Sequence, residues 1–210
     1  MIKNKIKENK RLVIIISGII GIALIVLTIL LLVKGCSNKL TIEQKKLKEA
    51  SIKTSIGSEG LDSYRAKISI RGKGSSDINK NYIVYNYKNK EFNISIFDGK
   101  ENTSVSIKKG EKNKQLKYDY TDTNLFLKGL EKGNDIKTRK EKIGEEEYTI
   151  YEFNIEKSVI NDMLKPFNIS NKSDGTGNVY IDSKGNIYLV IYDTDDINIS
   201  ASYTRLNDIK

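Results

Sequence analysis

YRAKISIR, residues 64–71, alternates apolar and polar residues without a break. Successive side chains of a β-strand point to opposite faces, so this pattern predicts a strand with one buried face and one face in water. Gly72 and Gly74 follow it, and such residues typically end a strand. A strand with one wet face is typical of an antiparallel sheet, whereas strands of parallel sheets are buried on both faces.

The same two-residue period recurs along the rest of the chain. Turn residues separate the predicted strands, for example Gly144 and the triplet 184–186. Near the C-terminus, Ile187, Leu189 and Ile191 alternate with other residues and are predicted to share the buried face. The strands predicted after the first one are 82–87, 92–96, 105–107, 116–120, 136–143, 148–155, 179–181, 187–191 and 197–203.

A helix is predicted directly before the first strand. Thr41 and Gln44 have the spacing of a capping box, in which each side chain satisfies a backbone N–H at the start of a helix. The predicted helix covers 42–55, and its apolar stripe comprises Ile42, Leu47, Ala50 and Ile52.

Two shorter helices are predicted within the strand-rich part of the chain. Residues 123–130 have helical spacing of their apolar side chains. The other helix holds Val159, Ile160, Met163 and Leu164, with Ser158 as its candidate cap and Pro166 at its end. Together the elements predict an α+β fold that is mostly antiparallel β, with a curved, open, barrel-like sheet packed on short helices.

Three pieces of the strand-rich part carry a resemblance to a known family. They are LDSY at 61–64, KIGEEEYTIYEF at 142–153 and GNVYID at 177–182. The stretch 61–207 resembles the LolA/LppX-like superfamily of bacterial envelope lipoproteins. The resemblance implies an unclosed barrel wrapped over helices, which binds lipids or acylated proteins in an apolar cavity.

The resemblance and the apolar strand faces together suggest where such a ligand would bind. A protein-interaction module of the cell envelope is the alternative, with the concave face filled by the chain's own helices and the outer face meeting a protein partner. An open apolar cavity of about 300–1,000 Å³ would favour the first function. The candidate ligand-lining residues are Ile68, Ile70, Phe92, Ile94, Ile96, Phe126, Leu127, Leu130, Leu189 and Ile191.

Residues 12–33 are predicted to form a transmembrane helix ahead of this domain. The 22 residues carry no charge, and at 1.5 Å per residue they span about 33 Å, which matches a hydrocarbon core of about 30 Å. The basic tail 1–11 is retained on the cytoplasmic side by the positive-inside rule. The sequence therefore predicts a single-pass protein of the bacterial plasma membrane, with a juxtamembrane helical segment at 34–60 and an extracytoplasmic β-rich domain at 61–210.

Cys36 leaves a second form of membrane attachment open. Val33, Gly35 and Cys36 resemble a bacterial lipobox, so Cys36 is a candidate lipidation site, whereas Lys34 departs from that pattern. The alternative is an uncleaved anchor with an incidental cysteine. Both forms keep the domain at the outer face of the membrane.

Several functional classes are disfavoured by composition. The chain has no His and one Cys, which excludes a Ser-His-Asp or Cys-His catalytic system. The net charge of +9 is concentrated in the N-terminal part, since residues 1–36 contribute +5, so nucleic-acid binding is not expected. The acidic turn 193–196 lacks the glycine and the distant glutamate of a calcium loop. A non-enzymatic protein without a cofactor or metal is therefore predicted.

Overall fold

The computed structural model of the chain describes residues 40–55, 63–74, 78–86, 91–97, 100–108, 111, 123–204 and 206. The basic tail, the predicted span 12–33, Cys36 and the predicted strand 116–120 lie outside the described residues. Within the described ranges, no helix is both long enough and apolar enough to cross a membrane.

Nine antiparallel strands form one sheet in the described part of the chain. Their order across the sheet is β4-β3-β2-β1-β9-β8-β7-β6-β5, so the sheet is open, with β4 and β5 as its outermost described strands. The predicted mostly antiparallel α+β architecture is confirmed. The strands are β1 Tyr64–Gly72, β2 Asn79–Asn86, β3 Glu91–Phe97, β4 Asn102–Lys108, β5 Asn134–Ile143, β6 Glu146–Ile155, β7 Gly175–Ile181, β8 Ile187–Thr194 and β9 Ile197–Thr204.

The sheet consists of two meanders joined in its middle. Strands β1 to β4 pair in sequence order, and so do β5 to β9. The first and the last strand then pair with each other, with Ile68 opposite Ala201 and Ile70 opposite Ile199. Strand β1, which has the clearest alternation in the sequence, therefore lies inside the sheet rather than at its edge.

Helices cover one face of the sheet, which we call the inner face. Helix α1 is Ile42–Thr54 and helix α2 is Lys157–Leu164. Three short 3₁₀ helices complete this helical layer: Thr123–Leu127, Leu130–Lys132 and Lys165–Phe167. Apolar side chains from the layer and from the inner face form one continuous core.

Helix α1 begins as the sequence predicts but faces the core differently. The capping box is present, with the Gln44 amide donating to the Thr41 hydroxyl over 3.2 Å and the Thr41 amide donating to the Gln44 side chain over 2.9 Å. Leu47 and Ala50 are buried, whereas Ile42 and Ile52 are exposed. At 100° per residue, these two isoleucines lie away from the side that carries Leu47, so the predicted apolar stripe is wrong in half of its members. The helix belongs to the same compact unit as the sheet, Thr41–Lys210.

Helix α2 begins two residues earlier than a cap at Ser158 implies, and Ser158 is not its cap. Glu156 is the residue before the first turn, and its side chain makes no capping hydrogen bond. The Lys157 amide instead donates to the Asp174 carboxylate over 2.8 Å. A carboxylate distant in the sequence thus satisfies the first N–H of the helix, which local sequence spacing does not reveal.

Glycines make room for Phe153 in the inner layer. A Cβ on Gly177 would lie 2.3 Å from the Phe153 ring, and one on Gly133 would lie 2.6 Å from it. The ring therefore packs directly on the backbone of β7 and of the segment that precedes β5. This packing brings the helical layer close to the sheet.

Gly177→Ala should destabilise residues 40–210 by about 1–3 kcal/mol, because the buried Phe153 ring has to move away from the new methyl group. Thr176→Ala, one position away and exposed, is the control and should change the free energy of unfolding by less than about 0.5 kcal/mol. Urea unfolding followed by circular dichroism measures both. Equal effects of the two substitutions would contradict the packing.

Candidate functional site

Eight of the ten predicted ligand-lining residues lie between the inner face and the helical layer. Strands β1 and β3 contribute five of them, and the first two 3₁₀ helices contribute three. All are 0–8% exposed and belong to the continuous core. The structure thus brings together Ile68, Ile70, Phe92, Ile94, Ile96, Phe126, Leu127 and Leu130.

Leu189 and Ile191 do not join this group. A β-bulge shifts the register between β7 and β8, so that Ile181 pairs with Ile187 while Tyr180 pairs with Leu189. The extra residue reverses the alternation after Ile187, since a one-residue shift moves every later side chain to the other face. Leu189 and Ile191 are half-buried on the outer face, and their predicted inward orientation is wrong.

Val190 and Tyr192 take the inward positions on β8, and both are fully buried. The Tyr192 hydroxyl donates to the backbone carbonyl of Phe126 over 2.9 Å, which ties the sheet to the first 3₁₀ helix. Burial raises the pKa of the Tyr192 phenol well above its ordinary value, so it stays a neutral donor. Residues 187–192 are apolar or aromatic at both odd and even positions, so the two-residue period alone does not decide which set faces inward.

An aromatic group lies at the contact between the sheet and the layer. The ring centroid of Phe167 is 6.0 Å from that of Tyr82 and 6.1 Å from that of Phe126. These separations are typical of interacting aromatic rings. The three rings come from β2, the third 3₁₀ helix and the first 3₁₀ helix, so they connect the N-terminal meander to the helical layer.

Helix α1 is fastened to the same layer by its polar side chains. The Gln44 side chain donates to the Gly133 carbonyl over 3.0 Å, and the Ser51 hydroxyl donates to the Leu127 carbonyl over 2.9 Å. At the end of the helix, the Ile187 amide donates to the buried Thr54 hydroxyl over 2.7 Å. Three side chains on the inward side of α1 therefore satisfy backbone groups of the stretch 127–133 and of β8.

The outer face carries a groove of about 400 Å³ over β5, β6 and β7. Its walls bear both signs of charge together with amides and a hydroxyl, so it is not the apolar cavity that the sequence analysis considers. Asp135 adopts a left-handed backbone conformation at the irregular start of β5, and Asn154 donates to its carboxylate over 3.1 Å. The lining residues are Asp135, Lys137, Glu152, Phe153, Asn154, Thr176, Gly177 and Asn178.

The acidic turn after β8 is held by the chain's own groups. The Asp193 carboxylate accepts from Lys73 over 2.9 Å and from Asn198 over 2.8 Å. These hydrogen bonds, that from Asn198 foremost, lower the pKa of Asp193. Among the described residues, no group of three or more acidic, Cys or His side chains is arranged to hold a metal ion.

Comparison with known proteins gives a likeness of fold. Neither a protein-family model nor a curated protein sequence matches the chain. The crystal structure of LprF from Mycobacterium bovis matches with 9% identity and a TM-score of 0.52, over 80% of this chain and 93% of that chain. The crystal structure of the Mycobacterium tuberculosis lipoprotein LppX matches with 18% identity and a TM-score of 0.46, over 80% of this chain and 96% of that chain. The chain is thus similar to LprF in fold, which agrees with the fold that the sequence resemblance implies.

Two isoleucines test which face of the sheet carries the core. Ile94→Ala should destabilise residues 40–210 by about 2–5 kcal/mol, because it leaves a cavity in the core. Ile191→Ala removes the same atoms from the half-buried outer face and should cost about 1 kcal/mol or less. Urea unfolding measures both, and a larger loss for Ile191→Ala would contradict the register of β8.

Proposed function

We propose that this protein binds a lipid or another apolar chain between the inner face and the helical layer, outside the cytoplasm and without catalysing a reaction. The span 12–33 tethers it to the bacterial plasma membrane, with the N-terminus in the cytoplasm. The binding domain then acts at the outer surface of that membrane. Cys36 is either the site of a lipid attachment or an unmodified residue next to the anchor.

One observation carries this proposal: short helical segments, rather than a second sheet, cover an inner face that is apolar over strands β1–β3 and β6–β9. Three of these segments are 3₁₀ helices of three to five residues, whose hydrogen-bond geometry is poorer than that of an α-helix. The LolA/LppX-like fold supports the same conclusion, because the resemblance implies an apolar cavity in this position.

The ligand has to displace part of the helical layer, since the eight candidate lining residues are buried between the layer and the sheet. The Ser51 and Tyr192 side chains hold the first 3₁₀ helix, and the Gln44 side chain holds Gly133 directly after the second one. Each of these hydrogen bonds contributes about 0.5–1.5 kcal/mol net to stability. Outward movement of residues 126–133 therefore breaks these bonds and exposes the apolar side chains of the first two 3₁₀ helices. An acyl chain that takes the place of Phe126 and Leu127 restores that burial.

The filled interior also favours a second candidate, a protein-interaction module. In that case the helical layer is a permanent part of the core, and the outer face meets a protein of the cell envelope. The observation in its favour is the burial of the eight residues, because a cavity already open to ligand would expose some of them.

Phe126→Ala should strengthen binding of a fluorescent fatty acid to residues 40–210, because it removes a side chain that occupies the proposed ligand space. A closed state that opens more readily raises the apparent affinity in proportion to its open fraction. Phe153→Ala is the matched control, since it removes an equally large buried ring that packs against Gly133 and Gly177. Both should destabilise the domain by about 3–5 kcal/mol.

Fluorescence titration with the fatty acid and native mass spectrometry of the domain repurified after incubation with bacterial membranes give the two readings. Co-purified lipid, with tighter binding for Phe126→Ala alone, supports ligand binding. If the unaltered domain and both variants bind no lipid in either assay, ligand binding is wrong and the interaction module remains. Equal strengthening by both variants would place the ligand elsewhere in the core.

A further inference from the structure

The outward side of helix α1 differs from an ordinary solvated helix face. Ile42 and Ile52 are 67% and 44% exposed, and they are two of the four large apolar residues with such exposure in the described part of the chain. Between them the exposed charged side chains include Lys45, Lys46 and Lys48 but only one acid, Glu49. Helices that lie on anionic membranes carry lysines for electrostatic attraction and apolar side chains that enter the headgroup boundary, and the outward side of α1 offers both.

The position of α1 in the chain supports the same partner. The predicted span ends at residue 33, and seven residues, 34–40, precede Thr41. A fully extended segment of this length reaches about 25 Å, so the start of α1 cannot be far from the lipid headgroups. The closeness of α1 to the headgroups rests on the proposed membrane tether. Tethering raises the effective concentration of the surface, so a weak individual affinity suffices for contact.

We infer that the outward face of α1, formed by Ile42, Lys45, Lys46, Lys48, Glu49 and Ile52, docks onto the anionic headgroups of the membrane that anchors the chain. The lysines supply electrostatic attraction, which acts within about one Debye length of the surface. The two isoleucines insert at the boundary between headgroups and acyl chains.

Docking in this way orients the proposed ligand site. The outward face lies opposite the side of α1 on which Gln44, Ser51 and Thr54 contact the stretch 127–133 and β8. The helical layer therefore faces the bilayer, and the outer face of the sheet with its polar groove faces away from it. A lipid leaving the bilayer meets the movable layer first.

Acetylation of lysines in the full-length chain tests the docking. The chain is reconstituted in lipid nanodiscs of phosphatidylcholine alone or of an equal mixture with phosphatidylglycerol, and mass spectrometry measures the acetylation rate of each lysine. Phosphatidylglycerol should slow acetylation of Lys45, Lys46 and Lys48 by about five-fold or more, and salt at about 1 M should remove the difference. The internal controls are the exposed Lys142 and Lys172, which lie outside the helical layer and whose rates should stay equal.

Two matched substitutions separate contact by this face from general attraction. Ile42→Asp should abolish the protection, whereas Ile143→Asp, which alters an exposed isoleucine on β5, should leave it intact. Equal rates in both disc types, or protection that survives Ile42→Asp, would overturn the docking. Fatty-acid binding is measured on residues 40–210 without nanodiscs, so it tests the ligand function separately. If that domain binds no fatty acid but the lysines are still protected, the ligand function is wrong and the docking stands. Failure of the chain to co-purify with discs would overturn the tether and the docking together.

Discussion

The pairing of β1 with β9 is the contact on which the rest of this domain depends. It joins strands from the two ends of the described chain and places Ile68 and Ile70 beside Ala201 and Ile199. The Tyr64 and Tyr203 rings, 6.2 Å apart, extend the contact at one end. Without it, the chain would form two separate meanders of four and five strands, each with an additional open edge and half of the apolar face.

Joining the meanders creates a face too wide for any single short helix to cover. The helical layer covers it in pieces, with α1 and the 3₁₀ segments fixed by side-chain hydrogen bonds to backbone carbonyls. Phe167 of the layer contacts Tyr82 of the first meander, and Phe126 accepts a hydrogen bond from Tyr192 of the second, so the layer contacts both meanders. A cover built from several short pieces can open locally while the sheet stays intact, because the strands pair independently of it. The proposed ligand site uses this difference in stability.

Local sequence patterns predicted most elements of the fold. Strand β1 and the capping box of α1 were predicted from adjacent residues, because their determinants lie within one strand or one helical turn. The same holds for the hairpin of β5 and β6, where Gly144 with its positive φ makes the turn. The order of the elements predicted the α+β architecture and the resemblance agreed with it, and eight of the ten candidate ligand-lining residues were predicted on the correct face.

Features that depend on distant partners were not predictable in this way. The bulge opposite Ile181 reversed the orientation of Leu189 and Ile191, and the residues around them are apolar in both phases. The pairing of β1 with β9 follows from no local period, since it closes a loop of more than a hundred residues. The outward orientation of Ile42 and Ile52 depends on which side of α1 packs against the stretch 127–133, a contact between distant parts of the chain.

Disulfide cross-linking tests the β1–β9 pairing most directly. In a chain carrying Cys36→Ser, the pair Ser69→Cys with Ser200→Cys should oxidise readily, because these residues are directly opposite each other and such Cβ atoms lie about 4.5–5.5 Å apart. The pair Ser69→Cys with Ser202→Cys is diagonal, at about 7–8 Å, and should stay reduced. Cross-linking of the diagonal pair alone, or of neither pair in the folded protein, would contradict the register that joins the two meanders.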